Sequence, residues 1–226
     1  FSENSTIGGI LAANSSGPIR AQFGTARDRL IGIKVVHANG DVTKGGGKVV
    51  KNVSGYDMNK LYTGSLGTLG VIVEAAFKVA PLFKERRTLI IPCNSVEEAS
   101  HLSFGIQKSG IEPLALQLLD GGILDAIQKP TGFVCSDMHY LLALEIGSTL
   151  SALLKQINVL YQLRPKGVFE VEGHESKTFW SALGNVGRFP NQRADMILKL
   201  TCLPNDITKL IEGISSLSMG NQTGLG

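Results

Sequence analysis

Three cysteines, one tryptophan and a net charge of only +3 are the scarcities that first limit what this 226-residue chain can be. Cys93, Cys135 and Cys202 lie far apart and form no CxxC pair, a pattern that reads as reduced, mostly buried thiols in a reducing compartment. The 22 Lys and Arg residues are scattered rather than gathered into a stripe, which argues against a nucleic-acid face. No apolar run approaches the roughly 20 residues that a membrane span needs, and no secretory signal stands out. A cytoplasmic location is expected, with any membrane contact made through partners. The histidines His37, His101, His139 and His174 include no pair at metal-ligand spacing, so no metal site is expected and each reads as a satisfied or exposed side chain. Standard nucleotide loops are missing too. Gly64, Gly67 and Gly70 stand three apart and do not meet G-x-G-x-x-G; Gly45-Gly46-Gly47-Lys48 lacks Walker spacing, with Val49 where Ser or Thr would stand.

What remains is an ordinary globular composition, 43% hydrophobic and 18% charged, long enough for one large domain or two small ones. The chain starts at Phe1 inside a glycine-rich motif and stops at Thr223-Gly224-Leu225-Gly226, and it reads as a piece of a longer protein.

Glycine divides the sequence. Thirteen of the 27 glycines fall in residues 1–80, about a third of the chain, where tight turns or close approach to a ligand are therefore expected. Leu30 to His37 has the β-branched content of a strand, Asn39-Gly40 reads as a hairpin turn, and Val42 begins the return strand. A short helix is expected over Tyr56 to Leu61 and a strand over Leu69 to Val79, stopped by Pro81. From about residue 86 the rhythm changes. Arg87 to Pro92, Leu114 to Leu119 and Tyr140 to Ile146 read as strands, with a further extended stretch at residues 168–172.

Helices fill the gaps between these strands. Ser95, with Glu98 at the capping-box position, starts one that runs to Lys108 and ends at Gly110. Thr149 to Leu163 carries Leu150, Leu153, Leu154, Ile157 and Leu160 at helical spacing. Ser176 to Leu183 forms a short helix. Met196 to Cys202 is expected as a final strand, and Asn205 or Asp206 as the cap of a helix carrying Ile207, Leu210, Ile211 and Ile214. Strands and helices in this order predict an α+β domain of ferredoxin-like type, an antiparallel sheet with its helices on one face. The predicted division is residues 1–83 and residues 84–226.

Three segments of the first region carry the chemistry. They are Ser5-Thr6-Ile7-Gly8-Gly9-Ile10-Leu11-Ala12-Ala13-Asn14-Ser15-Ser16-Gly17, Lys51-Asn52-Val53-Ser54-Gly55-Tyr56-Asp57, and Gly64-Ser65-Leu66-Gly67-Thr68-Leu69-Gly70-Val71-Ile72. Small residues packed this densely can expose backbone N–H groups to a planar or phosphorylated ligand. Turns and bulges need glycine as well, so any one segment alone has a purely structural explanation. With Phe23-Gly24-Thr25-Ala26-Arg27-Asp28 between the first two, the ordered set closely resembles the second FAD-binding subdomain of the PCMH-type flavoproteins, the vanillyl-alcohol oxidase superfamily. Within it, the pattern is similar to the glcE-type FAD-binding subunits of glycolate dehydrogenase (glycolate oxidase). Leu66 stands where glcD-type subunits carry Glu, and no His-Gly-Asp-Gly-Asn-type segment is present.

The resemblance implies FAD as cofactor, held through Thr6, Gly8, Gly9, Asn14 and Gly17 and along Gly67, Thr68, Gly70 and Ile72. It implies flavin oxidation of a 2-hydroxy acid such as glycolate to its 2-keto acid, beside glcD-like and iron–sulfur partner subunits. A non-catalytic assembly subunit and a stand-alone dehydrogenase of D-lactate type remain as alternatives. Residues 84–226 would form the cap domain. No catalytic residue is assigned. Arg27 is a candidate cation for the substrate carboxylate, against the plainer reading of an ion pair with Asp28; Trp180, after Phe179, reads as core or cap-domain packing.

Overall fold

A computed structural model describes residues 5–48, 55–123, 127, 139–164, 167–185 and 200–220. The β-branched run Leu30–Val36 forms β1 and Val42–Gly46 forms β2, joined by the expected Asn39-Gly40 turn. Gly40 takes φ +88°, and the Asn39 side chain accepts from the Asp41 N–H at 3.1 Å. Val71–Phe77 forms β3, and the antiparallel order is β2-β1-β3. Four short helical stretches surround this sheet: α1 (Ile7–Ala12), α2 (Arg20–Phe23), α3 (Ala26–Arg29) and α4 (Met58–Tyr62). The core here is small, built on Leu11, Leu30, Ile33, Val35 and Tyr62.

The second sheet is made of β4 (Glu85–Cys93), β5 (Pro113–Asp120), β6 (Tyr140–Ser148) and β7 (Phe169–Val171), in the antiparallel order β5-β6-β4-β7. With α5 (Val96–Lys108) between β4 and β5, and α6 (Leu150–Leu163) between β6 and β7, the connectivity is βαββαβ. The ferredoxin-like expectation is borne out in topology. Ser95 caps α5 by accepting from the Glu98 N–H at 3.2 Å. The Glu98 carboxylate reaches one residue further back than a capping box requires, accepting from Asn94 N–H at 2.7 Å, and it also pairs with Arg164. These bonds, that of Asn94 first, hold the Glu98 carboxyl below the usual range.

One expectation needs correction: helices cover both faces of this sheet. Leu89 and Ile91 of β4 with Leu142, Leu144 and Ile146 of β6 pack beneath α5 and α6, against Ile106, Leu153, Ile157 and Leu160. The opposite face holds Ile90, Leu119, Leu141 and Ala143, and it is covered by Phe179 and Ala182 of α7 (Gly173–Gly184). The cause lies in the strands. Leu141 to Ile146 is apolar at almost every position and buried at all of them, so both faces must be covered. Each buried Leu, Ile or Phe contributes about 1.5–3 kcal/mol, against about 0–1 for an exposed ion pair, so these two layers outweigh the surface charges.

Other expectations shift by a few residues or fall elsewhere. The helix predicted from Ser176 starts earlier, at Gly173. Leu150 and Leu154 lie outside the buried stripe of α6 and are half-exposed. Of the strand expected at Met196 to Cys202, residues 196–199 lie outside the described residues, and Leu200 to Cys202 are not in a strand. A 3-10 turn, Pro204–Asp206, leads into the last helix, α8 (Ile207–Gly220). Cys93 is buried, which pushes its thiol up to about 11 by desolvation, whereas Cys202 is exposed; Cys135 lies outside the described residues. Among the described residues no helix is long and apolar enough to cross a membrane. Where the two sheets meet, α2 lies against β5, the edge strand of the second sheet among the described residues.

Candidate functional site: a glycine cradle beside a cationic cleft

The segment Ser5 to Gly17 opens as a helix, where two adjacent glycines argue for a loop. Thr6 starts α1 by accepting from Gly9 N–H at 3.0 Å. Gly8 lets α1 lie on β3, since a Cβ there would come within 3.2 Å of the Ile72 carbonyl oxygen. Past the helix end, Asn14 takes the left-handed conformation (φ +47°) and turns the chain towards Ser16 and Gly17. The third glycine-rich segment docks on that end: Gly64 N–H donates to Leu11 C=O at 2.9 Å and Leu66 N–H to Ala12 C=O at 2.8 Å. Both helix-end carbonyls are thereby satisfied.

Left-handed residues shape this second wall. Leu66 has φ +53°, unusual for a leucine, and Gly67 has φ +79°. Thr68 closes the turn, its hydroxyl donating to the Ser65 carbonyl at 2.7 Å. Gly70 (φ +143°) is a packing glycine: a Cβ there would lie 2.7 Å from Val35 Cγ1 and from the Val36 carbonyl oxygen. His37 holds the turn from below, with Nδ1 3.1 Å from the Leu69 carbonyl oxygen and Nε2 2.6 Å from Thr43 Oγ1, the satisfied histidine that was expected.

The nine residues singled out in the sequence therefore divide. Thr6 and Gly9 face each other at the start of α1, while Gly8, Gly70 and Ile72 bring α1, β1 and β3 together. Gly17 and Gly67 have open space where a Cβ would stand. Thr68 is held by Ser65, and Asn14 leads a different group. Asn14 Oδ1, Ser16 Oγ and Ser65 Oγ are buried with no hydrogen-bond partner, at the junction of the two docked segments. Such atoms cost about 1–3 kcal/mol each, so three on two docked segments call for polar groups to meet them. Asn59 Oδ1, on α4, is buried and unpartnered as well. Ser16 and Ser65 lie within the same two motifs, and their hydroxyls, buried without a partner as Asn14 Oδ1 is, carry no mark in the sequence. Of the middle segment, residues 51–54 lie outside the described residues, and Tyr56 is almost fully exposed.

One residue beyond Gly17, Pro18 and Ile19 enter the wall of a cleft of about 1000 Å³ between the first region and the open end of the second sheet. Phe23 and Phe83 form one side, with ring centroids 6.0 Å apart. Arg29 is fixed there by donating from Nε to the Phe23 carbonyl at 2.8 Å, its guanidinium 5.3 Å above the Phe23 ring. On the other side, Trp180 donates from Nε1 to Thr88 Oγ1 at 2.8 Å, and the Thr88 and Ser176 hydroxyls are 2.7 Å apart. Glu145, only 5% exposed, pairs with Arg86 at 3.1 Å. Burial pushes its carboxyl above the usual range, and Arg86 opposes that rise. Arg87 bridges Glu172 at 3.0 Å and Glu85 at 3.5 Å. A cavity with aromatic walls and an excess of cations is suited to an organic anion.

Arg27 is exposed and does not line the cleft; Arg29, two residues on, does. The expected Arg27–Asp28 ion pair is absent among the described residues. Asp28 instead accepts from the Thr25 N–H and hydroxyl, both at 2.7 Å, as the far half of a capping box. Thr25-Ala26-Arg27-Asp28 is the [ST]-x-x-[DE] signature that could have revealed this. Nothing local marks Arg29, Arg86 or Glu145, because the cleft assembles four distant stretches of chain. Trp180 is a cleft residue as well as a packing one.

No protein-family model matches the chain. It is 40% identical over 124 residues to the glycolate oxidase subunit GlcD of Bacillus subtilis, covering 55% of this chain and 26% of that protein. The GlcE subunit of Escherichia coli is 41% identical over 81 residues, 36% of this chain and 23% of its own. A mitochondrial D-lactate dehydrogenase [cytochrome] of Arabidopsis thaliana is 31% identical over 182 residues, 77% of this chain and 32% of its own. Proteins named FAD-linked oxidoreductases are also similar. The chain thus spans between a quarter and a third of the length of most of these relatives, a little less for GlcE. A solved alkyldihydroxyacetonephosphate synthase shares the fold, with a TM-score of 0.58 at 20% identity over 80% of this chain and 36% of that one. The relationship inferred from the ordered glycine-rich motifs is borne out at the level of this group of proteins, and GlcD and GlcE match it at nearly equal identity.

Proposed function

We propose that this chain, a relative of the glycolate oxidase subunits and D-lactate dehydrogenases, supplies the second FAD-binding subdomain (residues 1–83) and the α+β cap domain (residues 84–226) of a flavin-dependent 2-hydroxy acid dehydrogenase. The observation that carries this reading is the set of unpartnered buried atoms on Asn14, Ser16 and Ser65, on the two docked glycine-rich segments. Two hydroxyls and an amide fit a ligand that carries both donors and acceptors, as FAD does along its ring edge and pyrophosphate. When bound, FAD would supply the two-electron acceptor for oxidation of the 2-hydroxy acid, glycolate to glyoxylate in the case the resemblance names.

The chain's own residues then have distinct parts. Thr6, Gly8, Gly9, Gly70 and Ile72 hold α1 and β3 in the arrangement that forms the cradle. Gly17 and Gly67 leave the room a cofactor needs, and Asn14 and Thr68 shape the backbone that meets it. Next to Gly17, the cleft receives the substrate: Arg29 and Lys177, which have no carboxylate partner among the described residues, orient its carboxylate, while Phe23, Phe83 and Trp180 exclude water from it.

Leu66, in place of the glutamate of glcD-type chains, supports a glcE-type subunit that passes electrons to glcD-like and iron–sulfur partners. We place that complex in the cytoplasm, reaching the membrane only through its partners. A single-chain dehydrogenase of D-lactate type is the second reading, favoured by an alignment that runs from the first region into the second.

The test is to purify the full-length polypeptide that carries this chain and to record its visible absorption before and after adding glycolate or D-lactate. A flavin band that bleaches supports a dehydrogenase acting in its own right. A band that stays oxidised until partner subunits are added supports the glcE-type reading. Folded protein without flavin sinks both and leaves an assembly role. Ser65→Ala, which removes one unpartnered hydroxyl, should lower flavin content without lowering Tm.

A further inference from the structure

Size, wall chemistry and charge in the cleft point to the same kind of ligand. Its volume of about 1000 Å³ stands at the upper end of the roughly 300–1000 Å³ of pockets that enclose drug-sized molecules, and a two-carbon acid would leave most of it empty. Ile19, Phe23, Phe83 and Trp180 give it an apolar, largely aromatic surface that has no use for a hydroxyacetate. Among the described residues cations outnumber carboxylates around it. The three glutamates, Glu85, Glu145 and Glu172, are already paired with Arg86 and Arg87. Among the described residues Arg29, Lys78, Lys84 and Lys177 have no carboxylate partner, so the excess positive charge is open to a ligand. Arg29 marks the boundary, since its guanidinium is held against the Phe23 ring.

We infer that the cleft takes a 2-hydroxy acid with a bulky apolar side chain, aromatic or branched, in preference to glycolate. This rests on the proposed reading of the cleft as the substrate end of the site. The carboxylate takes the unpaired cations, and the side chain takes the surface formed by Ile19, Phe23, Phe83 and Trp180. The preference follows from the transfer of apolar surface out of water, a gain that glycolate cannot make.

Trp180, the single tryptophan of the chain, reports occupancy directly. Full-length protein would be titrated with phenyllactate and with glycolate while tryptophan emission is followed, the Trp180→Phe variant marking the share that belongs to this residue. The expected result is a phenyllactate Kd about tenfold or more below that of glycolate. Ile19→Asp, at an exposed position, should bring the two affinities together, and Lys177→Glu should weaken both. Equal affinities in the parent protein, a preference that survives Ile19→Asp, or no response of Trp180 to either acid would overturn the inference. The titration needs no flavin chemistry, so the two readings fail separately. A preference for phenyllactate in a protein whose flavin never bleaches would leave the cleft assignment standing and sink the dehydrogenase; bleaching by glycolate with no preference would do the reverse.

Discussion

The two sheets of this chain are finished to different degrees. The second is enclosed on both faces, with Leu89, Leu144 and Ile157 on one side and Ile90, Leu141 and Phe179 on the other. The first rests, among the described residues, on five buried core side chains, leaves Leu66, Val71 and Val73 more exposed than buried, and contains all four of the described buried side-chain polar atoms that lack partners. A region built for its own stability satisfies its polar groups and hides its apolar ones. One built around a ligand leaves both kinds of work undone in the places where the ligand completes it.

The sharpest way to break this contrast is to remove equal amounts of side chain from each region. Leu144→Ala, in the closed core, should cost about 2–5 kcal/mol in denaturant unfolding. Leu66→Ala, at a position 75% exposed, should stay within about 0.5 kcal/mol. Comparable losses would mean that the first region is as tightly organised as the second.

Glycines sharpen it further. Gly70→Ala forces a Cβ against Val35 and the Val36 carbonyl at φ +143°, and should destabilise by about 1–3 kcal/mol. Gly17→Ala meets open space, so Tm should hold while the flavin content of the purified protein falls. Intact flavin content in a folded Gly17→Ala protein would remove that residue from the cofactor site.

The smallest effect concerns Glu145, the buried acid of the second region. Its folded-state carboxyl is raised above its unfolded value, so ionised Glu145 opposes folding at high pH, and that opposition fades as pH falls through the folded pKa. Glu145→Gln should therefore match or exceed the parent Tm at pH 8, by up to about 2–4 °C per kcal/mol relieved. The difference should shrink on acidification. A variant less stable at pH 8 would show that the Arg86 pair outweighs desolvation.

How legible each part was follows from the range of the interactions that make it. The βαββαβ order was plain because its cues are local: Ser95 before α5, Leu153, Ile157 and Leu160 at helical spacing, Gly110 after Lys108. Cover on the second face was not, because Thr88 and Glu145 interrupt one face of the strands with polar residues. Of these, Glu145 lines the cleft, while Thr88 bonds beneath α7 to Ser176 and Trp180. Helix α1 was hidden by Gly8 and Gly9, poor helix formers whose use here is to let α1 approach β3. In the cradle, motif spacing pointed to two segments that dock on each other, but not to the division among their residues, since packing glycines and open glycines are identical in sequence. The cleft could not be read at all: its residues come together only after both sheets have formed.

The position of α2 along β5 has a consequence for how the chain could be divided. An edge strand presents unpaired N–H and C=O groups, a template on which another copy can add itself. β5 is eight residues long and mostly apolar, and the four residues from Arg20 to Phe23 lie against it. The glycine-rich region is therefore also a guard for its neighbour. Residues 84–226 released by cleavage at the connecting Pro81 to Phe83 stretch would keep the described core of the second sheet, yet would lose the cover that α2 gives β5 and gain a tendency to grow by edge-to-edge pairing.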